Sequence, residues 1–354
     1  MIMTLMRVVS LSLAVTICAA SPLLAAPNDP LNLRITLQVP ITNHLGQNLV
    51  AFKQRIESQS EGRIKVDIFD KAQLFKDFEV IDAVGSGKIE MGVVPLNQYR
   101  NLVPVVDILG LPFMFTQDAL IRKATAPDHD IRRAIDKGIS QKTNTVALWW
   151  QPYGNSVAFS TGMTPINTPD EISGKRIRVF SELEGEFITA CGGTPFRIPG
   201  SQQTQAMRDR VVDIGLTGIT GVNTRALWEV SSTITKTNHG AIEFLVVMNA
   251  DLWAGLSEAD RDLIRRIGNE VELELRDEFQ KIEDDAYAFA QDKKMPIFDI
   301  TPNDLAEWRA CSVDLVNQFL SRAGEAGFDL MAAYGRLMMD PCCSGGASGV
   351  FTRH

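Results

Sequence analysis

The chain has 354 residues, 45% hydrophobic and 22% charged, which is ample for a core and long enough for one large domain or two lobes. Its 43 acidic residues outnumber 35 basic ones, a balance that argues against nucleic acid, whose phosphates demand clustered Lys and Arg.

Residues 1–26 read as a secretory signal peptide cleaved near Ala26. Arg7 is the only charge in them, the apolar run 8–20 is too short to span a membrane as a helix, and small residues lead to Ala25 and Ala26 before Pro27. A membrane anchor is the alternative. No later segment approaches eighteen uninterrupted apolar residues, so the mature protein is expected to be exported and not membrane-spanning. Four cysteines remain after cleavage: Cys191, Cys311, Cys342 and Cys343. A domain of this size needs no disulfide to fold.

From there the chain alternates. LRITLQV, residues 33–39, predicts a strand, and HLGQNLVAFKQRIES a helix with Leu45, Leu49, Phe52 and Ile56 on one face. Gly62 ends that helix, RIKVDIF is a second strand, FEVIDAVGSG a second helix, and KIEMGVV a third strand apolar on both faces. This order implies a parallel sheet with covered faces. NTVALWWQPYGNSVAFS and AIEFLVVMN are long apolar strand regions, either of which could cross between lobes. GKRIRVF, a helix from about Glu182 to Cys191, the helix QQTQAMRDR and the strand VVDIGLT then repeat the first plan. The strands KIEMGVV and VVDIGLT match position by position, Gly92 falling on Gly215.

Residues 257–293 form the longest periodic segment, with apolar residues from Ile264 to Phe289 recurring at three or four. As one helix it would span about 55 Å, enough to brace two lobes; two helices broken near Asp277 are the alternative. MPIFDI and a helix from about Asn303 to Ala323 follow. The Gly/Ser-rich tail, 340–354, is expected to be disordered. The expected division is lobe I at 31–150 plus about 240–256, lobe II at 151–239 plus about 294–337, and the long helix at 257–293.

Catalytic signatures are missing. The four histidines have no metal-ligand spacing, there is no GxSxG elbow or phosphate loop, and GLTGITG has the wrong glycine spacing for a dinucleotide fold. No cofactor or metal is implied, and an enzyme is not expected.

The strand RIRV directs Arg176 and Arg178 to one face. Ligands of open α/β sheets bind beyond the carboxyl ends of strands, so Arg178 is the candidate carboxylate ligand, its two parallel N–H donors matching two oxygens. Arg176 is expected at the closed side or paired with an acid. A structural ion pair is the alternative for Arg178. Trp150, Tyr153, Asn155 and Ser156 suit an aromatic-walled pocket with a few polar groups, although at least one of the neighbouring tryptophans is expected to be core. Asn97 and Thr217 occupy matching places at strand ends of the repeat, where turn roles are the alternative.

In order and spacing, GRIKVDIF, QLFKDFEVIDAVGSGKIEMGVV, LGLPFMF, TPINTPDEISGKRIRV, GGTPFRIP, RVVDIGLTG and TNHG resemble the solute-binding proteins of tripartite ATP-independent periplasmic (TRAP) transporters, dicarboxylate-binding type, over about residues 33–337. The resemblance implies two α/β lobes, each a mainly parallel sheet flanked by helices, with a long helix spanning both. It implies a periplasmic protein that captures an organic acid between the lobes and delivers it to membrane permease subunits. It places the family's carboxylate-binding arginine on Arg178, a cleft residue on Ser181, and Thr217 where the family often has asparagine. The family's second arginine has no counterpart in PYGNSVAF, where Ser156 or Val157 takes its place. With Tyr153 and the tryptophans, that departure points to a monocarboxylate of the 2-oxo, hydroxy or aromatic kind. An exported lyase or dehydratase using Asp213 or Glu79 is the alternative function, with Glu79 also a candidate ligand contact. A ligand-presenting sensory protein is a third.

Overall fold

A computed structural model describes residues 30–340; the expected signal peptide and residues 341–354 of the expected tail lie outside the described residues. The first half begins with β1 (Leu31–Thr36), α1 (His44–Gln59), β2 (Ile64–Phe69), α2 (Val80–Gly85) and β3 (Met91–Pro95). Asn43 caps α1 by accepting from the Leu45 N–H, and the helix buries Leu45, Leu49, Phe52 and Ile56. β1 lies between β2 and β3, parallel to both, and every residue of β3 is buried, as expected for a strand covered on two faces. Helices α3 (Asp118–Ala124) and α4 (Asp130–Lys142) then lead to β4 (Thr145–Ser160).

The second half repeats the plan with β5 (Arg176–Val179), α5 (Glu182–Ala190), β6 (Thr194–Arg197), α6 (Gln203–Arg208) and β7 (Ile214–Gly218). β5 is parallel to β6 and β7. After α7 (Gly221–Thr224) and β8 (Thr233–Lys236), β9 (Ala241–Asn249) returns to the first half, antiparallel to β3. Of the two candidates for the crossing strand, it is β4 that crosses. Thr145 to Asn155 pair with β9, and Ser156 to Ser160 pair with β7 and, from Ala158 on, with β8. All four pairings that β9 and β4 make with β3, β7, β8 and each other are antiparallel, so the parallel core of each half is three strands wide.

The ladder shifts register between Pro152 and Gly154, just before the crossing. Gly154 has φ +85°, a backbone conformation that strains any residue with a Cβ, and a Cβ there would also press on the Glu283 carboxylate.

After α8 (Ala250–Gly255), α9 (Glu258–Asp292) runs for 35 residues without a break at Asp277, about 52 Å at the usual rise. Ser257 caps it by accepting from the Asp260 N–H. Its Ile264, Ile267 and Val271 join the core around β1 and α1, whereas Ala286 and Ala290 join the core around α6, α7 and β8. One apolar stripe therefore ties the two halves together. A buried ionic chain fastens the helix to α4 and β9: Arg132 pairs with Glu272 (2.5 Å), Glu272 with Arg276 (3.1 Å) and Arg276 with Glu243 (3.1 Å).

The chain ends with β10 (Ile297–Asp299), paired to β8, and α10 (Pro302–Ser312), α11 (Asp314–Ala323) and α12 (Glu325–Met338). The sequence reading assigns 294–337 to the second lobe. Trp308 of α10 packs there, but Phe319, Leu330, Ala333 and Leu337 pack with Ile121, Ile131 and Ile135 of the first half. A disulfide joins Cys191 at the end of α5 to Cys311 on α10.

Candidate functional site

The carboxyl ends of β1, β3, β5 and β7 converge where the halves meet, and a cavity of about 420 Å³, mouth included, opens there. Its walls carry Val39, Pro95, Phe180, Ile242 and Phe244. Its polar groups are Gln38, Asp77, Tyr153, Arg178, Thr217 and Arg225.

Arg178 is 2% exposed. Its Nε donates to Ile198 O (2.8 Å) and its Nη1 to Leu216 O (2.6 Å), which aims the side chain without neutralising it. Burial, and then the neighbouring Arg225 charge, lower its pKa to about 10, so it remains cationic at neutral pH. Its strand neighbour Arg176 is exposed and forms a 2.8 Å ion pair with Asp213. Two arginines one pleat apart thus have opposite fates, because one lies at the strand's open end and the other at its start.

A second guanidinium lines the cavity, that of Arg225, just after α7. Its Nη2 donates to Thr217 Oγ1 (2.5 Å) and Tyr153 Oη (3.4 Å), and its Nη1 to Gly200 O (3.2 Å) and Gln203 Oε1 (3.1 Å). Its Nε is buried without a partner. Among the described residues, neither Arg178 nor Arg225 forms an ion pair with a carboxylate. Sequence reasoning missed Arg225; its only signal is that it is the sole charge between Asp213 and Glu229.

Asp77 was missed too. Its Oδ2 accepts from the Gly200 N–H (3.1 Å), linking the two halves across the cavity. Arg197 makes a further link between the halves, donating to Gln98 Oε1 (2.7 Å) and lying 4.2 Å over the Phe78 ring. Gln38, also missed, is 2% exposed, and both polar atoms of its side chain lack partners.

The other sequence-predicted residues divide. Tyr153 and Thr217 line this cavity with Arg178. Asn97, Ser156 and Ser181 line a second one of about 500 Å³, and Phe180 forms part of both. Ser156 Oγ donates to Glu184 Oε1 (2.9 Å), while Ser181 Oγ accepts from the Glu184 N–H (3.0 Å) and caps α5. Glu184 also accepts from the Phe180 N–H (2.9 Å) and lies 3.1 Å from His239 Nε2. These residues brace the turn that follows Arg178. Asn155 turns its amide toward the Phe115 and Gly240 carbonyls within the sheet.

Trp150 and Glu79 are away from both cavities. Trp150 points to the face of β4 opposite Trp149, where its Nε1 donates to Asp136 Oδ1 (2.9 Å) and Arg132 lies 5.1 Å over its ring. It is a core residue. Glu79 is exposed and closes a turn by accepting from the Lys76 N–H (2.8 Å), satisfying the backbone ahead of α2.

Residues 38–322 match the DctP family, the bacterial extracellular solute-binding proteins of family 7. The C4-dicarboxylate-binding periplasmic protein of Shewanella loihica is 23% identical over 299 residues, covering 81% of this chain and 85% of that protein. A TRAP periplasmic solute-binding protein of Shewanella oneidensis, solved with succinate, superposes with a TM-score of 0.81 at 21% identity, covering 87% of this chain and 99% of that one. The sugar-acid-binding protein of Advenella mimigardefordensis, solved with galactonate, gives 0.82 at 18% identity over the same shares. Among the described residues no helix is long and apolar enough to cross a membrane. The match spans most of the chain and the architecture is that of the family the sequence resembles, so the chain belongs to the extracellular solute-binding proteins of family 7.

Proposed function

We propose that this protein is the periplasmic solute-binding subunit of a TRAP transporter, exported with cleavage near Ala26, which captures a small organic acid in the Arg178 cavity and hands it to a membrane permease. One observation carries the reading. A buried guanidinium, Arg178, and a half-buried one, Arg225, face one cavity at the strand ends, and no carboxylate of the described chain forms an ion pair with either. A buried cation without a counter-ion costs free energy, and an organic anion supplies that counter-ion. The carboxylates named for the relatives, C4-dicarboxylates, succinate and galactonate, agree in this one group.

Capture rather than catalysis fits the acids. Asp213 is held by Arg176 and Glu79 by its own turn, and neither of these two acids named for the lyase alternative lines the cavity. Micromolar affinity needs about 8 kcal/mol in all. One charge-assisted contact supplies about 1.5–3 kcal/mol, leaving the aromatic walls and the second arginine to supply the remainder.

Thermal-shift screening of organic acids, followed by calorimetry on Arg178→Ala, tests the proposal. The expected loss is at least tenfold in affinity with the fold intact by circular dichroism. Unchanged affinity would remove Arg178 from the site.

A further inference from the structure

Resting on the reading of this cavity as an anion site, we infer that it is built for a monocarboxylate carrying a neutral hydroxyl or carbonyl group, that Asp77 excludes dianions, and that Gln38 reads the neutral group. The charges converge on one point. A Cβ placed on Gly200 would lie 3.1 Å from Arg225 Nη1, 3.8 Å from Arg178 Nη2 and 3.8 Å from Asp77 Oδ1. Asp77 is the only carboxylate among the lining residues, and it stands opposite two guanidinium groups without forming an ion pair with either. Two cations and one anion leave one positive charge in excess, which a single carboxylate neutralises. A second carboxylate on the ligand would enter a buried space already holding Asp77, and like charges in low dielectric repel strongly. Glu184, behind Phe180, does not line the cavity, but its charge also acts on Arg178, ahead of that of Asp77, and adds to the negative charge that a dianion would meet.

Gln38 gives the second half of the inference. It lies just past β1, almost fully buried, with its amide NH₂ and C=O both unpartnered in the cavity wall. A buried amide left unpaired is costly, and a hydroxyl on the ligand can donate to one end and accept from the other. A methyl or methylene group there would satisfy neither. The Asp77 Oδ1 remaining after the Gly200 contact can accept from a hydroxyl but not from a second carboxylate.

Matched acids test this on the intact mature protein. Calorimetry would compare 4-hydroxybutanoate with succinate and with butanoate, 5-hydroxypentanoate with glutarate, and 4-(hydroxymethyl)benzoate with terephthalate. The hydroxy acid is expected to bind at least tenfold more tightly than its dicarboxylate partner in every pair that binds. Asp77→Asn keeps an acceptor for Gly200 and should shift that ratio at least tenfold toward the dicarboxylate. Gln38→Leu should abolish the preference for 4-hydroxybutanoate over butanoate, read as the ratio of the two dissociation constants. A dicarboxylate that binds wild-type protein as well as its hydroxy partner, or an unshifted ratio in Asp77→Asn, overturns the inference and leaves the anion site standing. If no acid binds, and Arg178→Ala melts as wild type does with every one of them, the anion site itself is refuted.

Discussion

Behind Phe180, Glu184 is surrounded by the Phe180 N–H, the Ser156 hydroxyl and His239, and Arg100 lies 2.9 Å from Asp107. In front of it, Arg225 and Gln38 keep buried polar atoms that nothing in the described chain satisfies, and Arg178 forms no ion pair with a carboxylate. The two cavities are similar in size and share a wall, yet the carboxylates of one are in ion pairs, although Asp107 Oδ1 has no hydrogen-bond partner, whereas the cations of the other form no ion pair. Polar side chains in a crevice therefore do not by themselves mark a binding site. The informative groups are those whose partners are missing.

The comparison can be broken from either side. The largest effect should come from the paired side. Reducing the Cys191–Cys311 bond, which closes 120 residues and pins α5 to α10, should cost about 3–5 kcal/mol in denaturant unfolding with little change in ligand selectivity. Glu184→Ala would strand three groups at once and should cost about 3 kcal/mol of stability, again read by denaturant titration. On the open side the sign of the result differs: Arg178→Ala should lose about 1.4 kcal/mol or more of binding, with the ligand-free melting temperature nearly unchanged. If Arg178→Ala destabilised the free protein more than Glu184→Ala did, the distinction between the two cavities would be lost.

The smallest expected effect concerns the point where β4 crosses. Burial, and then the charges of Asp118 and Asp284, push the Glu283 carboxyl from 4.5 up to about 7. The folded protein therefore keeps a proton that the unfolded chain releases. The associated stability is fully present below pH about 4.5 and is lost as pH rises through about 7. Glu283→Gln should melt about 2 °C higher than wild type at pH 8 and match it at pH 4. An equal difference at both values would assign the effect to packing against Gly154 instead.

The parts legible from sequence are those written in local periodicity. α1 and α9 were readable from apolar residues at three and four, and β3 from an unbroken apolar run. Arg178 was readable because strand alternation and the carboxyl-end rule need only the strand itself. Thr217 and Tyr153 reach the same cavity, whereas Trp150 does not: the alternation that exposes one residue of β4 to the cavity face buries its neighbour on the other. Ser156, Ser181 and Asn97 are near the crevice but on its paired side.

Arg225, Gln38 and Asp77 come from three loops on two halves of the chain, and no spacing relates them. The pairing of Cys191 with Cys311 and the return of α12 to the first half are equally non-local. Composition and periodicity by themselves determined the α/β class, the repeat, the bracing helix and the place of Arg178 at the open end of its strand, because each depends on neighbours within a turn or a strand. Which charges remain unpaired was decided only by the tertiary structure, because a partner's absence is a property of the whole surrounding shell, and loops far apart in the chain build that shell.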